Sequence, residues 1–135
     1  MISIVVISKD EPGLDDTLAD VTDQARALPE PCEIIVVDAS QDRLDRIRRR
    51  HEPAVRWVRF RPPPGVRTSI PHQRNVGVRA ASGEIIVFTD AGCRPAPGWL
   101  KNLVSPLHEG EQVAAGLREL LRDSARCCPA LKMPM

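Results

Sequence analysis

"GEIIVFTDAGCRP", residues Gly83 to Pro95, is a run of apolar and mostly β-branched side chains that ends abruptly on one acid, Asp90. A run without polar alternation belongs to a strand covered on both faces, as in parallel sheets. The end of such a strand is where open α/β sheets take their ligands. An acid there is also an ordinary turn or cap residue. The segments around it have to decide between the two.

Two more runs of the same kind lie upstream. "ISIVVI" (Ile2–Ile7) leads into Ser8-Lys9-Asp10, and "CEIIVV" (Cys32–Val37) ends on Asp38-Ala39-Ser40. Between them Leu14, Leu18, Val21, Ala25 and Leu28 recur at helical spacing, with Asp15 and Asp16 at the favourable positive end of the helix dipole. Pro29 and Pro31 stop that helix. A short basic helix is expected over Arg43–His51, with Leu44 and Ile47 inward. "VRWVRF" (Val55–Phe60) reads as a half-exposed strand with Arg56 and Arg59 outward. Three successive prolines, Pro62 to Pro64, make a stiff loop. Ser69 and Pro71 suit the cap and first turn of a helix running to about Ala81. The strand Glu84–Thr89 follows, then an apolar helical stripe of Trp99, Leu100, Leu103, Val104 and Leu107. "QVAAG" reads as a further strand and Leu117–Arg126 as a last short helix.

Strands and helices alternate, which is the pattern of a parallel α/β sheet. The expected fold is a three-layer α/β/α sandwich with a Rossmann-like, mostly parallel sheet. It centres on Ile2–Ile7, Cys32–Val37 and Glu84–Thr89, with Val55–Phe60 alongside. Residues 1–110 are expected to form the ligand-binding domain and 111–135 a divergent or truncated tail.

Composition narrows the function classes. The 135 residues are 42% hydrophobic and 27% charged with a net charge of +1, so no global field draws in nucleic acid. No apolar run is long enough to span a bilayer, and the start of the chain lacks the zones of a signal peptide. The basic stretch "RLDRIRRRH" allows peripheral contact with anionic lipid, although a solvated helix face is the commoner outcome. Cys32, Cys93, Cys127 and Cys128 form no C-x-x-C pair and have no zinc-like spacing with histidine. Reduced thiols and a cytoplasmic location are the expectation.

Neither G-x-G-x-x-G nor G-x-x-x-x-G-K-[ST] is present, which counts against a dinucleotide dehydrogenase or a P-loop NTPase. What remains is a pair of strand-terminal acids, Asp38 and Asp90. A carboxylate there can accept hydrogen bonds from a base or ribose and help to hold a divalent cation on a diphosphate.

Read in order, "SIVVISKDEPG", "EIIVVDASQD" and "QRNVGVRAASGEIIVFTDAGCRPAPGWL" resemble the family 2 glycosyltransferases, which have the GT-A fold. In that family an Arg-Asn-x-Gly helix precedes Gly-Glu-Ile-x-x-Phe-x-Asp-x-Asp, and Pro-x-Pro-x-Trp-Leu closes the segment. Arg74, Asn75, Gly77, Gly83, Glu84, Phe88, Asp90, Pro95, Pro97, Trp99 and Leu100 match, and the resemblance runs from Ile2 to about Leu107.

The resemblance implies a nucleotide-diphosphate sugar as donor and transfer of the sugar to an acceptor hydroxyl with inversion. It implies nucleotide-sugar binding by Ser8 (through its backbone), Asp38 (on a base N–H), Arg74 (near the base) and Asp90 (on ribose and close to a metal). Lys9 stands where the family has an aromatic residue, so its stem would replace the stacking ring. The implied cofactor is Mg²⁺ or Mn²⁺, with Asp90 as a ligand, but Gly92 replaces the second acid of Asp-x-Asp. Arg94 is a candidate diphosphate clamp, against the commoner reading of a solvated loop residue. The family's general base comes from a half that follows the Pro-x-Trp-Leu helix, and "LRELLRDSARCCPALKMPM" resembles nothing in that half. The alternative is a non-catalytic nucleotide-sugar-binding or interaction module, dimerising through a sheet edge left bare.

Overall fold

The structure, a computed structural model, describes residues 1–67 and 70–116 with their side chains, and the backbone of 120–121, 124–125 and 129–132. The described residues form eight strands: β1 (Ile2–Ser8), β2 (Cys32–Asp38), β3 (Arg56–Arg59), β4 (Ile85–Asp90), β5 (Val113–Ala115), β6 (Leu120–Leu121), β7 (Ser124–Ala125) and β8 (Pro129–Lys132). Among the described residues the helices are α1 (Leu14–Ala27), α2 (Asp45–His51), α3 (Ile70–Ala80) and α4 (Trp99–His108).

The apolar runs become the buried middle of one sheet ordered β3-β2-β1-β4-β8-β5. Strands β1 to β4 are mutually parallel, whereas β8 runs antiparallel between β4 and β5. This is the three-layer, mostly parallel sandwich expected from the alternation of elements. Period-two alternation divides its side chains cleanly. Ile2, Ile4 and Val6 of β1, with Ile34, Val36, Ile85 and Val87, pack against Leu14, Leu18 and Val21 of α1 and Leu100, Leu103 and Leu107 of α4. Val5, Ile7, Ile35, Val37, Ile86 and Phe88 face the other way, with Val76 and Ala80 of α3 against them.

The order of the strands sets the position of any ligand site. From β1 the chain moves to β2 and β3 on one side, then crosses back to β4 on the other side of β1. The reversal opens a crevice between β1 and β4 at their carboxyl ends, the switch point of a doubly wound sheet.

The helix expected over Leu117–Arg126 is not found among the described residues. The described residues of that stretch pair as an antiparallel two-stranded ribbon, Leu120 with Ala125 and Leu121 with Ser124. Ten residues with so short an apolar stripe make a marginal helix on their own. Strand β8 was not anticipated, because "PALK" carries little β propensity; it is a strand through pairing with β4 and β5. Ser69, the expected helix cap, and Cys127 and Cys128 lie outside the described residues. No helix among the described residues is long and apolar enough to cross a membrane.

Much of the basic charge in "RLDRIRRRH" is drawn into the fold. Arg48 bridges Asp45 and Glu52, Arg50 pairs with Asp15, and His51 Nε2 lies 2.7 Å from Asp15 Oδ1. The helix thereby ties itself to the start of α1.

Candidate functional site

The carboxyl ends of β2, β1 and β4 stand side by side. Asp38 is in register with Ser8, and Asp90 with Ile7. Continued alternation sends Ser8 and Asp38 toward the α1 face and Asp90 toward the α3 face. A ligand touching both acids therefore has to lie across the end of the sheet.

Asp38 is only 4% exposed. Its Oδ1 accepts the Ser40 hydroxyl at 2.6 Å and the Ser40 backbone N–H at 3.2 Å. Asp38 also lines a pocket of about 400 Å³ with Gln41, Asp42, Arg59, Phe60 and Arg61. The Ser40 hydroxyl accepts the backbone N–H of Asp10 at 2.8 Å, and Arg43 grips Asp10 with two bonds of 2.6 and 2.9 Å. A continuous chain, Arg43–Asp10–Ser40–Asp38, thus ties the loop after β1 to the loop after β2. Arg43 donates to Asp10 and holds its carboxyl below the usual carboxylate range.

Backbone strain gathers at the same place. Among the described residues the non-glycine positions of positive φ are Asp10 (54°), Gln41 (51°) and Asp42 (68°), all in these two loops. Such conformations persist where surrounding contacts enforce them, and they concentrate at ligand sites.

At the switch point, Ile7, Ser8, Lys9, Glu11, Ile70, Gln73, Asp90 and Ala91 line a crevice of about 250 Å³. Ser8 is 3% exposed, and its Oγ is buried without a hydrogen-bond partner among the described residues. Arg74 reaches the lip from α3, lying 5.8 Å from the centroid of the Phe88 ring, with Nη2 3.5 Å from Asp90 Oδ1. The structure thus brings Arg74 and Asp90 together, with Ser8 lining the crevice beside Asp90 and Asp38 one strand further along.

Two glycines explain how α3 and the Asp90 turn fit here. Gly77 rests on β1 so closely that a Cβ would lie 2.3 Å from Val5 Cγ1. That approach lowers the first turns of α3 onto the strand ends. Gly92 has φ of 88°, in a turn closed by Cys93 N–H donating to Asp90 O at 3.1 Å. Its own N–H donates to Thr17 Oγ1. Position 92 is thus a turn and packing position against α1.

Sequence reasoning passed over Gln73. Its Nε2 donates to the carbonyls of Ser8 (3.0 Å) and Val37 (3.2 Å), pinning the ends of β1 and β2 together from beneath. The only hint was a polar residue inside "QRNVG", on the face that α3 turns to the sheet. Ser40 was legible as a residue following a strand-terminal Asp, but its partner Asp10 was not. Arg94 turns away from the site and pairs with Asp20 of α1 at 3.0 Å, the solvated-loop outcome.

Comparisons with known proteins bear on the fold and the family. A mannosyltransferase from Pyrobaculum calidifontis, solved in complex with GDP-Man and Mn²⁺, superposes with a TM-score of 0.75 at 23% identity over 97% of this chain and 44% of that one. Glucosyl-3-phosphoglycerate synthase from Mycobacterium tuberculosis, solved with Mn²⁺, UDP and glucosyl-3-phosphoglycerate, gives 0.63 at 28% identity over 84% of this chain and 42% of that one. A 4-diphosphocytidyl-2C-methyl-D-erythritol synthase from Anaerococcus prevotii shares the fold with a TM-score of 0.69 at 14% identity, over 98% of this chain and 71% of that one. The chain spans less than half the length of the first two. Among curated proteins, none matches the sequence. The sequence profile of Glycosyl transferase family 2 matches residues 3–124, further than the Ile2 to about Leu107 over which the resemblance runs. The chain belongs to glycosyl transferase family 2 and carries its Rossmann-like GT-A fold.

Proposed function

We propose that the chain binds a nucleotide-diphosphate sugar across the carboxyl ends of β2, β1 and β4. Together with an acceptor-binding part, it transfers the sugar to an acceptor hydroxyl with inversion. The observation that carries this reading is the alignment of Asp38, Ser8 and Asp90 on three adjacent strands at the switch point.

Each group has a task its surroundings suit. Ser40 occupies one oxygen of Asp38 and fixes its direction, so the second oxygen is the one a base N–H would meet. Asp90 stands at the lip, where ribose hydroxyls can donate to it. Arg74 offsets the charge of Asp90 and leaves guanidinium N–H groups near the crevice for phosphate oxygens. Lys9, in the same lining, adds a second cation.

The relatives solved with Mn²⁺ raise the question of a metal here. Among the described residues no three His, Cys, Asp or Glu side chains stand close enough to enclose one. The Asp90 carboxylate lines the crevice and is a hard oxygen donor. Such a carboxylate fits a hard cation completed by phosphate oxygens and water, the usual arrangement for Mg²⁺. Asp90 would hold such an ion, whose contribution is to neutralise charge developing on the leaving diphosphate. The acceptor's general base would come from the acceptor-binding part, as the resemblance implies.

The test is calorimetric titration with uridine, guanosine and thymidine diphosphates. Asp38→Ala and Asp90→Ala are each expected to weaken the preferred nucleotide about ten- to a hundredfold, the range for losing a hydrogen bond to a charged group. Unchanged affinity in both variants removes the site assignment. Donor turnover by the chain, with and without Mn²⁺, separates transfer from binding alone.

A further inference from the structure

The crevice between β1 and β4 contains a second carboxylate besides Asp90. Glu11, in the loop between β1 and α1, lines it together with Ser8 and Asp90. The Glu11 side chain lies over Gly92: a Cβ built on Gly92 would come 3.2 Å from both Cγ and Cδ of Glu11, and 3.5 Å from Oε1. The volume into which an acid at position 92 would project is thus already filled by a carboxylate. Glu11 is also oriented. Its Oε1 accepts the Gly13 N–H at 2.9 Å, and its Oε2 has no partner among the described residues. An independent sign of a ligand is the Ser8 hydroxyl, buried in the lining of the same crevice and without a partner there.

We propose that Glu11 supplies the second carboxylate for a divalent cation bound together with the donor diphosphate, in place of the acid missing at Gly92. This rests on the functional reading above. One or two carboxylates plus phosphate oxygens are the usual complement of an ion of this kind. Lys9 and Arg74 bring positive charge to the same lip and disfavour an ion held by protein alone. A diphosphate satisfies both, so cation and nucleotide bind as a pair. The acid comes from the loop because position 92 cannot easily carry it. There φ is 88°, and the neighbouring turn packs on α1, with Gly92 Cα only 3.0 Å from a Cβ built on Gly13.

The experiment is calorimetry of the full chain with uridine and guanosine diphosphates, with and without Mn²⁺, for the wild type and Glu11→Gln. Glutamine keeps an oxygen for the Gly13 amide, and a thermal midpoint checks that the fold is retained. Mn²⁺ is expected to tighten wild-type nucleotide binding roughly tenfold, with the protein carboxylates and phosphates completing the ion's shell. Glu11→Gln is expected to lose most of that gain. Glu11→Ser, whose hydroxyl can accept the N–H two residues on as Glu11 does from Gly13, repeats the test should the glutamine variant unfold. A full Mn²⁺ gain in a folded variant overturns the inference and leaves the functional reading standing, as does wild-type binding indifferent to Mn²⁺. A wild type that binds neither nucleotide overturns the functional reading and this inference with it.

Discussion

Replacing Gly77 by alanine adds one methyl group where α3 rests on β1. The new Cβ would lie 2.3 Å from Val5 Cγ1, 3.2 Å from Cγ2 and 3.3 Å from the Val5 Cβ. Val5 is fully buried in the middle of the sheet, and its branched side chain has nowhere to turn. Relief has to come from the helix, which must retreat by roughly 1.5 Å to restore a carbon–carbon contact near 3.5–4.0 Å. Overpacking of this kind costs about 1–3 kcal/mol, and the better helix propensity of alanine returns about 1 kcal/mol at most. A contact as short as 2.3 Å puts the cost in the upper part of that range, so the net expectation is a loss of about 1–2 kcal/mol, read as a lower urea midpoint at unchanged m-value. The same retreat takes Gln73 out of hydrogen-bond range of Ser8 and Val37, now 3.0 and 3.2 Å away. Nucleotide affinity is therefore expected to fall in protein that is still folded. A Gly77→Ala variant as stable as the wild type would refute the close-packing argument, since propensity alone would then decide the outcome.

Gln73→Leu removes the donor shared by the Ser8 and Val37 carbonyls while keeping similar bulk. A loss of about 1–3 kcal/mol in urea unfolding is expected from the two hydrogen bonds removed, each worth about 0.5–1.5 kcal/mol, and an unchanged midpoint would show that the bridge is dispensable. The Asp10–Arg43 clasp predicts a pH dependence. Because the folded-state carboxyl of Asp10 is depressed, its contribution is present above the ordinary carboxylate pKa and lost as pH falls through the depressed value. Asp10→Asn should flatten that acid limb of the stability curve, and matching curves for the two proteins would count against the clasp.

A good part of the fold was legible because burial on both faces leaves a strong mark. The runs ending at Ser8, Asp38 and Asp90 could only be strands of a covered sheet, and the stripes at Leu14–Leu28 and Trp99–Leu107 could only face it. The last part of the described chain carried no such mark. Strand β8 exists because β4 and β5 offer it partners, a long-range pairing that "PALK" does not announce.

The site divides along the same line. Order along the chain was enough to nominate Ser8, Asp38, Arg74 and Asp90, since a strand-terminal acid and a motif are local features. Tertiary structure alone revealed how the neighbouring side chains are spent. Arg94 pairs with Asp20, Ser40 bridges Asp38 to Asp10, and Gln73 ties β1 to β2. It also turned Gly92 from a missing acid into a tight turn crossed by the Glu11 carboxylate. These contacts join residues far apart in sequence, at distances set by how closely helix and loop can approach the sheet. A one-dimensional pattern records which residues are present. It does not record which of them come within 3 Å once the strands are paired.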